Sequence, residues 1–175
     1  MGRRSVKENK NIYQLCREDA GLTREQAGER MEFVSSDRIE KIEYELSVPH
    51  PEEILAMAEC YRHPELCNYY CSHECRIGRE YVPEIKMKDL SRIVLEAIAS
   101  LNTLNREKDR LIEIAADGEI SPDEYADFSR IQEELDRVSM ATDSMQLWLD
   151  RTIADGSING DELEAAKQEL RKDVR

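Results

Sequence analysis

The chain has 175 residues, room for one to one and a half ordinary domains, which excludes a large multidomain enzyme. Charged residues make up 36% and aromatics 6%, against seven Gly and five Pro; so few turn formers do not suit an all-β chain, and the composition is that of a helical protein. Lys and Arg number 25 against 38 Asp and Glu, and the net charge of −13 repels phosphate backbones at long range, so any nucleic-acid contact has to be local. No apolar run approaches the roughly 18 residues of a membrane span, and the first ten residues lack the apolar stretch of a signal peptide. A cytoplasmic protein with no membrane partner is expected. Five cysteines, four of them from Cys60 to Cys75, point to reduced thiols or a metal site rather than a secreted disulfide framework.

Residues 1–10 carry Arg3, Arg4, Lys7 and Lys10 against Glu8 alone, and are read as a basic, flexible arm. From Asn11 to Tyr70, short amphipathic segments alternate with turn residues. Asn11 caps a helix bearing Ile12, Leu15 and Cys16 that stops at Gly21, a residue suited to the left-handed position past a helix end. Thr23 with Gln26 has the capping-box spacing and opens a second helix through Ala27, Arg30 and Met31. Ser35 or Ser36 caps a third helix, with Ile39 and Ile42 on one face. After the break at Val48-Pro49-His50-Pro51, a fourth helix from Glu52 to Tyr61 turns Ile54, Leu55, Ala58 and Tyr61 inward, and Pro64 starts a fifth.

The run Leu15-Cys16-Arg17-Glu18-Asp19-Ala20-Gly21-Leu22-Thr23-Arg24-Glu25-Gln26-Ala27, followed by Val34-Ser35 and Ile39-Glu40-Lys41-Ile42-Glu43, resembles the Cro/repressor-type (XRE-family) helix-turn-helix domain over about residues 11–66. Glu32 stands where that family turns on a small residue, and Met31 to Ile39 is one residue longer than its usual spacing. The resemblance implies that the helix starting at Thr23 and the one holding Ile39 are the scaffold and recognition helices, the latter laid in the major groove. On that surface Ser35, Ser36, Asp37, Arg38, Glu40 and Lys41 are offered, and only Arg38 and Lys41 can pair with phosphate or guanine edges, aided by Arg3 and Arg4 of the arm. Asn11 to Arg62 holds 6 basic and 12 acidic residues, so the pattern also fits a packing module retained for protein contacts.

Cys60, Cys67, Cys71 and Cys75 follow at spacings of seven, four and four, with His63 and His73 inside the run. On a helix starting at Pro64 the last three thiols would converge, and Cys60 or His73 could complete a zinc shell; four cysteines could equally hold an iron–sulfur cluster. The alternative is a set of small, partly buried thiols with Cys60 against the core.

Beyond Pro83 the pattern lengthens. Residues 1–82 hold 12 basic and 16 acidic side chains and 83–175 hold 13 and 22, and a domain boundary is placed there, between an 11–82 domain and an 83–175 assembly domain. Leu90, Val94, Ala97, Leu101, Leu104, Lys108, Leu111 and Ala115 predict one helix from Lys88 to Ala116; Phe128, Ile131, Leu135, Val138, Thr142, Met145, Leu149 and Thr152 predict another from Pro122 to Ala154. Both seams are coiled-coil-like and should pair as an antiparallel hairpin, with a short last helix from Gly160 to Arg171. Ala116-Asp117-Gly118-Glu119-Ile120 repeats as Ala154-Asp155-Gly156-Ser157-Ile158; its spacing is that of half a calcium loop, but the first and third loop positions fall on Glu113 and Ala115 in one copy and on Arg151 and Ile153 in the other, which is the wrong ligand set. The glycines read as helix ends, with Ser121–Glu124 and Asn159–Glu162 as the next caps. Trp148 marks either packing against the last helix or a contact surface.

There is no Gly-rich phosphate loop and no nucleophile elbow, and His50, His63 and His73 lack an evident acid or base partner, so no enzyme is expected. The expectation is an all-α protein, a DNA-binding transcriptional regulator dimerising through its carboxy-terminal hairpin. A protein-interaction adaptor that binds no DNA is the alternative, and a metal- or redox-responsive regulator is a variant of the first.

Overall fold

The computed structural model describes residues 10–173, and among these the chain is helical, without strands. The chain divides into two compact units. One comprises the residues up to Glu84 together with those from Leu149 onward, and the other is Ile85–Trp148. Residues 83–175 are therefore not one body, because the segment from Leu149 belongs with the amino-terminal helices. Arg3 and Arg4 lie outside the described residues.

The first unit begins with five short helices whose ends are set by local chemistry. Helix α1 (Ile12–Asp19) starts where Asn11 accepts from the Gln14 amide, and the chain leaves it through Gly21 at φ +69°. Helix α2 (Arg24–Met31) has both halves of the Thr23–Gln26 capping box, and α3 (Ser36–Glu43) is capped by Ser35. Between them Glu32 takes φ 58°, ψ −48°, and the Phe33 amide reaches back to the Met31 carbonyl at 2.6 Å. This is a γ-turn of the strained kind, and it absorbs one residue between the helices. Helix α4 (Pro51–Tyr61) has Pro at its first position, and α5 (Glu65–His73) follows Arg62 in the left-handed region.

Tyr13, Cys16, Ala27, Met31, Val34, Ile39, Ile42, Ile54, Met57, Tyr61 and Leu66 form the core of this bundle. On α4 the inward set is Ile54, Met57, Ala58 and Tyr61; Leu55 is 62% exposed, because only every third or fourth residue can share the face that Ile54 fixes. Helix α6 (Gly78–Tyr81) folds back on α5 so tightly that a Cβ on Gly78 would run into the Cys71 carbonyl. Helix α9 (Gly160–Asp173) follows the second Asp-Gly turn.

The second unit holds α7 (Leu90–Ala115), capped by Asp89, and all but the last turns of α8 (Tyr125–Ala154). The two run antiparallel, with Arg110 bonded to Asp127 at 2.8 Å and Glu107 near Arg130. Gly118 and Gly156 have positive φ, and Ser121–Glu124 and Asn159–Glu162 cap the helices that follow, as the repeat predicts. Each seam keeps part of its expected positions, among them Ala97, Leu104, Leu111, Ile131 and Val138, and is shifted by one residue at the others. On α7 the buried series is Ile93, Ser100 and Ile114, with Ala97, Leu104 and Leu111 half-buried between them, whereas Leu101 is 52% exposed. On α8, Ile131, Glu134 and Ala141 are buried, while Leu135 and Met145 are exposed. Both helices carry apolar residues on two adjacent stripes, so periodicity alone did not choose between them. The pair buries the stripe of Ile93, Ser100, Ile114, Ile131, Ala141, Ser144 and Leu147, with Leu104 and Leu111 half-buried on it, and leaves Leu101 and Leu135 outside.

Candidate functional site

The inner side of α3 is bound by charge as well as by apolar packing. Glu43, fully buried, accepts from Arg17 Nε at 2.5 Å and from Arg24 Nε at 2.8 Å, and Arg17 also donates to the Leu22 carbonyl. Asn11 adds a bond from its side-chain amide to the Ile42 carbonyl at 2.8 Å. Arg24 continues to Glu40 at 2.8 Å and lies over the Tyr44 ring. The outer edge of α3 is left to Asp37, Glu40, Lys41 and Tyr44, all exposed, with Ser35 at its start and Ser36 half-buried.

Arg38 is not on that edge. Its guanidinium donates to both Glu53 oxygens at 2.6 and 2.7 Å, to the Val48 carbonyl at 2.9 Å and to the Ser47 hydroxyl, tying α3 to the following loop and to α4. Of the two cations the sequence offers on this helix, Lys41 alone is free to meet a partner among the described residues. Phe33, Tyr44, Leu46 and Val48 are exposed apolar groups in and around the same segment.

The cysteines expected to converge do not. All five are free thiols, and no three of Cys60, Cys67, Cys71, Cys75 and His73 bring ligand atoms within 4.8 Å of one another among the described residues. Cys67 and Cys71 stand one turn apart on α5, but Cys75 lies past its end in the fold-back to Gly78, whose amide donates to its sulfur at 3.4 Å. His73 stacks on Tyr69 instead. Cys60 and Cys67 pack against the core, and burial pushes both thiols up, which keeps them protonated.

A different set comes together. Cys16 of α1, His63 between α4 and α5, and Glu65 at the start of α5 hold their ligand atoms within 4.8 Å of one another. The buried His63 has a carboxylate on each ring nitrogen, Glu65 on Nδ1 at 2.7 Å and Asp19 on Nε2 at 3.1 Å. Arg151, in the last turns of α8, donates to the Arg62 carbonyl at 2.7 Å and sits 3.5 Å from Glu65 and 3.6 Å from Asp19. Thus His63, read from sequence as lacking acid partners, has two. The sequence could not show this set, since Cys16 and His63 are 47 positions apart and fall in different motifs, the helix-turn-helix run and the Cys60–Cys75 run; the one local signal is His63-Pro64-Glu65 at a helix start.

Comparison of the chain with family models, with curated proteins and with solved structures finds no match.

The Arg38–Glu53 pair has a pH signature. The Arg38 guanidinium, with help from the His50 amide, holds the Glu53 carboxyl below the usual carboxylate range. Its folded value thus lies below its unfolded one, so its stabilising contribution is complete above about pH 5 and is lost as pH falls through the folded value. Glu53→Gln is expected to cost about 1–3 kcal/mol near neutrality, with the gap to the parent chain closing in acid. Urea unfolding of both chains across pH checks this, and a gap that stays constant from neutrality into acid contradicts it.

Proposed function

We propose that the protein is a regulator of the Cro/repressor type, whose α2 and α3 act as a helix-turn-helix that engages DNA and whose second unit pairs with a second copy. The observation carrying this reading is the anchoring of α3: Ile39 and Ile42 in the core, Glu43 between two arginines and Arg38 on Glu53 hold its inner side, while Asp37 and Lys41 stay exposed on its outer edge and Arg24 pairs with Glu40 there and covers the Tyr44 ring. A helix held in this way enters a groove without first being ordered. Lys41 and the basic arm with Arg3 and Arg4 supply the phosphate contacts, Ser35 and Ser36 are neutral donors at the helix start, and Arg38 positions α3 rather than reading bases. With so few cations on the face, binding depends on fit in the groove more than on counterion release, and its salt dependence is shallow for a regulator.

A second reading is favoured by a specific observation. Asp37 and Glu40 share the outer edge with Lys41, and Phe33, Tyr44, Leu46 and Val48 are exposed nearby, a surface suited to a protein bearing basic and apolar groups. Selection of duplexes from a random pool at low salt with the full chain separates the two. The DNA reading expects enrichment of a two-fold sequence with half-sites about one helical turn apart. It also expects roughly tenfold weaker binding by Lys41→Ala and tighter binding when Asp37→Asn and Glu40→Gln are combined. No enriched sequence, or charge variants without effect, overturns it and leaves docking on protein.

Pairing through the second unit rests on the outer stripe. In the register set by Arg110 opposite Asp127, Leu101 comes level with Leu135, and Ile98 and Ile112 extend the exposed apolar surface along α7. Sedimentation of the full chain is expected to show a dimer that Leu101→Glu with Leu135→Glu converts to a folded monomer. A parent chain still monomeric at about 100 μM, where even micromolar contacts are populated, contradicts it.

A further inference from the structure

We propose that Cys16, His63 and Glu65 form a binding site for a divalent transition metal of the zinc class, with Asp19 as the outer partner of the histidine. The donors come from α1, the α4–α5 junction and the start of α5, so they are fixed by the same packing that builds the core. Their ligand atoms already lie within 4.8 Å of one another, and closing on an ion needs side-chain shifts on the order of 1 Å to reach bonds of about 2.0–2.3 Å. One thiol, one imidazole and one carboxylate are a zinc-type set rather than a calcium or magnesium set, which would require oxygens alone.

Two features of the group leave a place for an ion. Glu65 keeps a buried Oε2 without a hydrogen-bond partner, a position that an ion in the cluster would satisfy. His63 has acceptors on both nitrogens: an imidazolium meets both, whereas a neutral imidazole has one N–H to give and leaves the other nitrogen open to an ion. Metal on Nδ1 resolves both: Glu65 turns from hydrogen-bond acceptor to ligand, and the remaining N–H on Nε2 donates to Asp19, the carboxylate–histidine arrangement that fixes the ring tautomer at metal sites. A cavity of about 400 Å³ lined by Asp19, Cys60, His63, Arg151 and Asp155, among others, opens beside the ring and has room for a water or an exogenous fourth ligand. Burial pushes the Cys16 thiol up to about 12, so it enters the site as a thiol; loading replaces the S–H bond by an S–metal bond and releases that proton to solvent.

Arg151 is the competitor. Its guanidinium sits against Glu65 and Asp19, supplying the positive charge that a metal would bring. Removing it should therefore improve metal binding, an effect opposite to that of losing a ligand. A merely structural cluster would show no such reversal.

The test uses the full chain, reduced and stripped with chelator, titrated with zinc against a chromophoric competitor and with cobalt for its thiolate charge-transfer band. One equivalent is expected, with a cobalt spectrum of a single thiolate. Cys16→Ser should abolish the band, Glu65→Gln should weaken zinc at least tenfold, and Arg151→Met should tighten it severalfold, while Cys67→Ser, Cys71→Ser and Cys75→Ser together should leave it unchanged. Circular dichroism checks folding; if Cys16→Ser does not fold, Glu65→Gln, which keeps a hydrogen bond to His63, and Arg151→Met carry the decision. Zinc bound equally by these variants, lost with the α5 cysteines, or bound with less than one equivalent by the parent chain overturns the assignment.

Discussion

Glu43 is a carboxylate without solvent, and its position is possible only because Arg17 and Arg24 bring charged donors to it from α1 and α2. Taking such a charge out of water costs several kcal/mol, which its pairing has to offset through close, multiple hydrogen bonds. The geometry meets that demand: Arg17 uses two of its nitrogens on Glu43 and turns the third to the Leu22 carbonyl at the entrance to α2. Three helices are thereby fixed to one atom group. The last residue of α3 cannot rotate without stranding a buried charge, so the direction in which Asp37, Glu40, Lys41 and Tyr44 point follows from Glu43.

Arg38 makes the same argument from the other end of α3. Its side chain could reach outward, yet Glu53, the Val48 carbonyl and Ser47 offer it a fuller set of acceptors than water in a fixed place. Between them the two arginine cages make α3, which carries two basic and three acidic residues, a rigid helix with a nearly neutral to acidic outer edge. The function proposed for α3 therefore rests on shape and on few charges, and the negative charge of the chain is consistent with a partner chosen by fit rather than by long-range attraction.

What could be read from sequence was local. Asn11, Thr23 with Gln26, Ser35, Gly118 and Gly156 each act within four residues, and their caps and stops fall where the residue types place them. What was not legible depended on a choice between nearly equal alternatives or on distant partners. Leu101 and Leu135 suit the seam because leucine outranks serine and glutamate in any hydrophobic pattern, whereas the buried positions beside them are Ser100 and Glu134. The pairing of Arg38 is hidden because Glu53 is 15 positions away, and the Cys67–Cys75 spacing suggests a convergence that the end of α5 prevents. The Cys16–His63–Glu65 group is not legible in sequence because Cys16 sits in α1 and His63 and Glu65 at the α4–α5 junction, brought together only by the packing of the bundle.

The dependence of the first unit on its buried charge is measured most directly by a double-mutant cycle on Arg17 and Glu43, using urea unfolding of the parent chain, Arg17→Met, Glu43→Leu and the double variant. Glu43→Leu strands the buried Arg17 and is expected to cost about 3–5 kcal/mol, Arg17→Met leaves Glu43 with Arg24 alone and should cost about 2–4 kcal/mol, and the double change should cost clearly less than their sum because an apolar pair replaces the ion pair. Single changes that cost under about 1 kcal/mol and add without coupling would show that α3 is held by apolar packing alone.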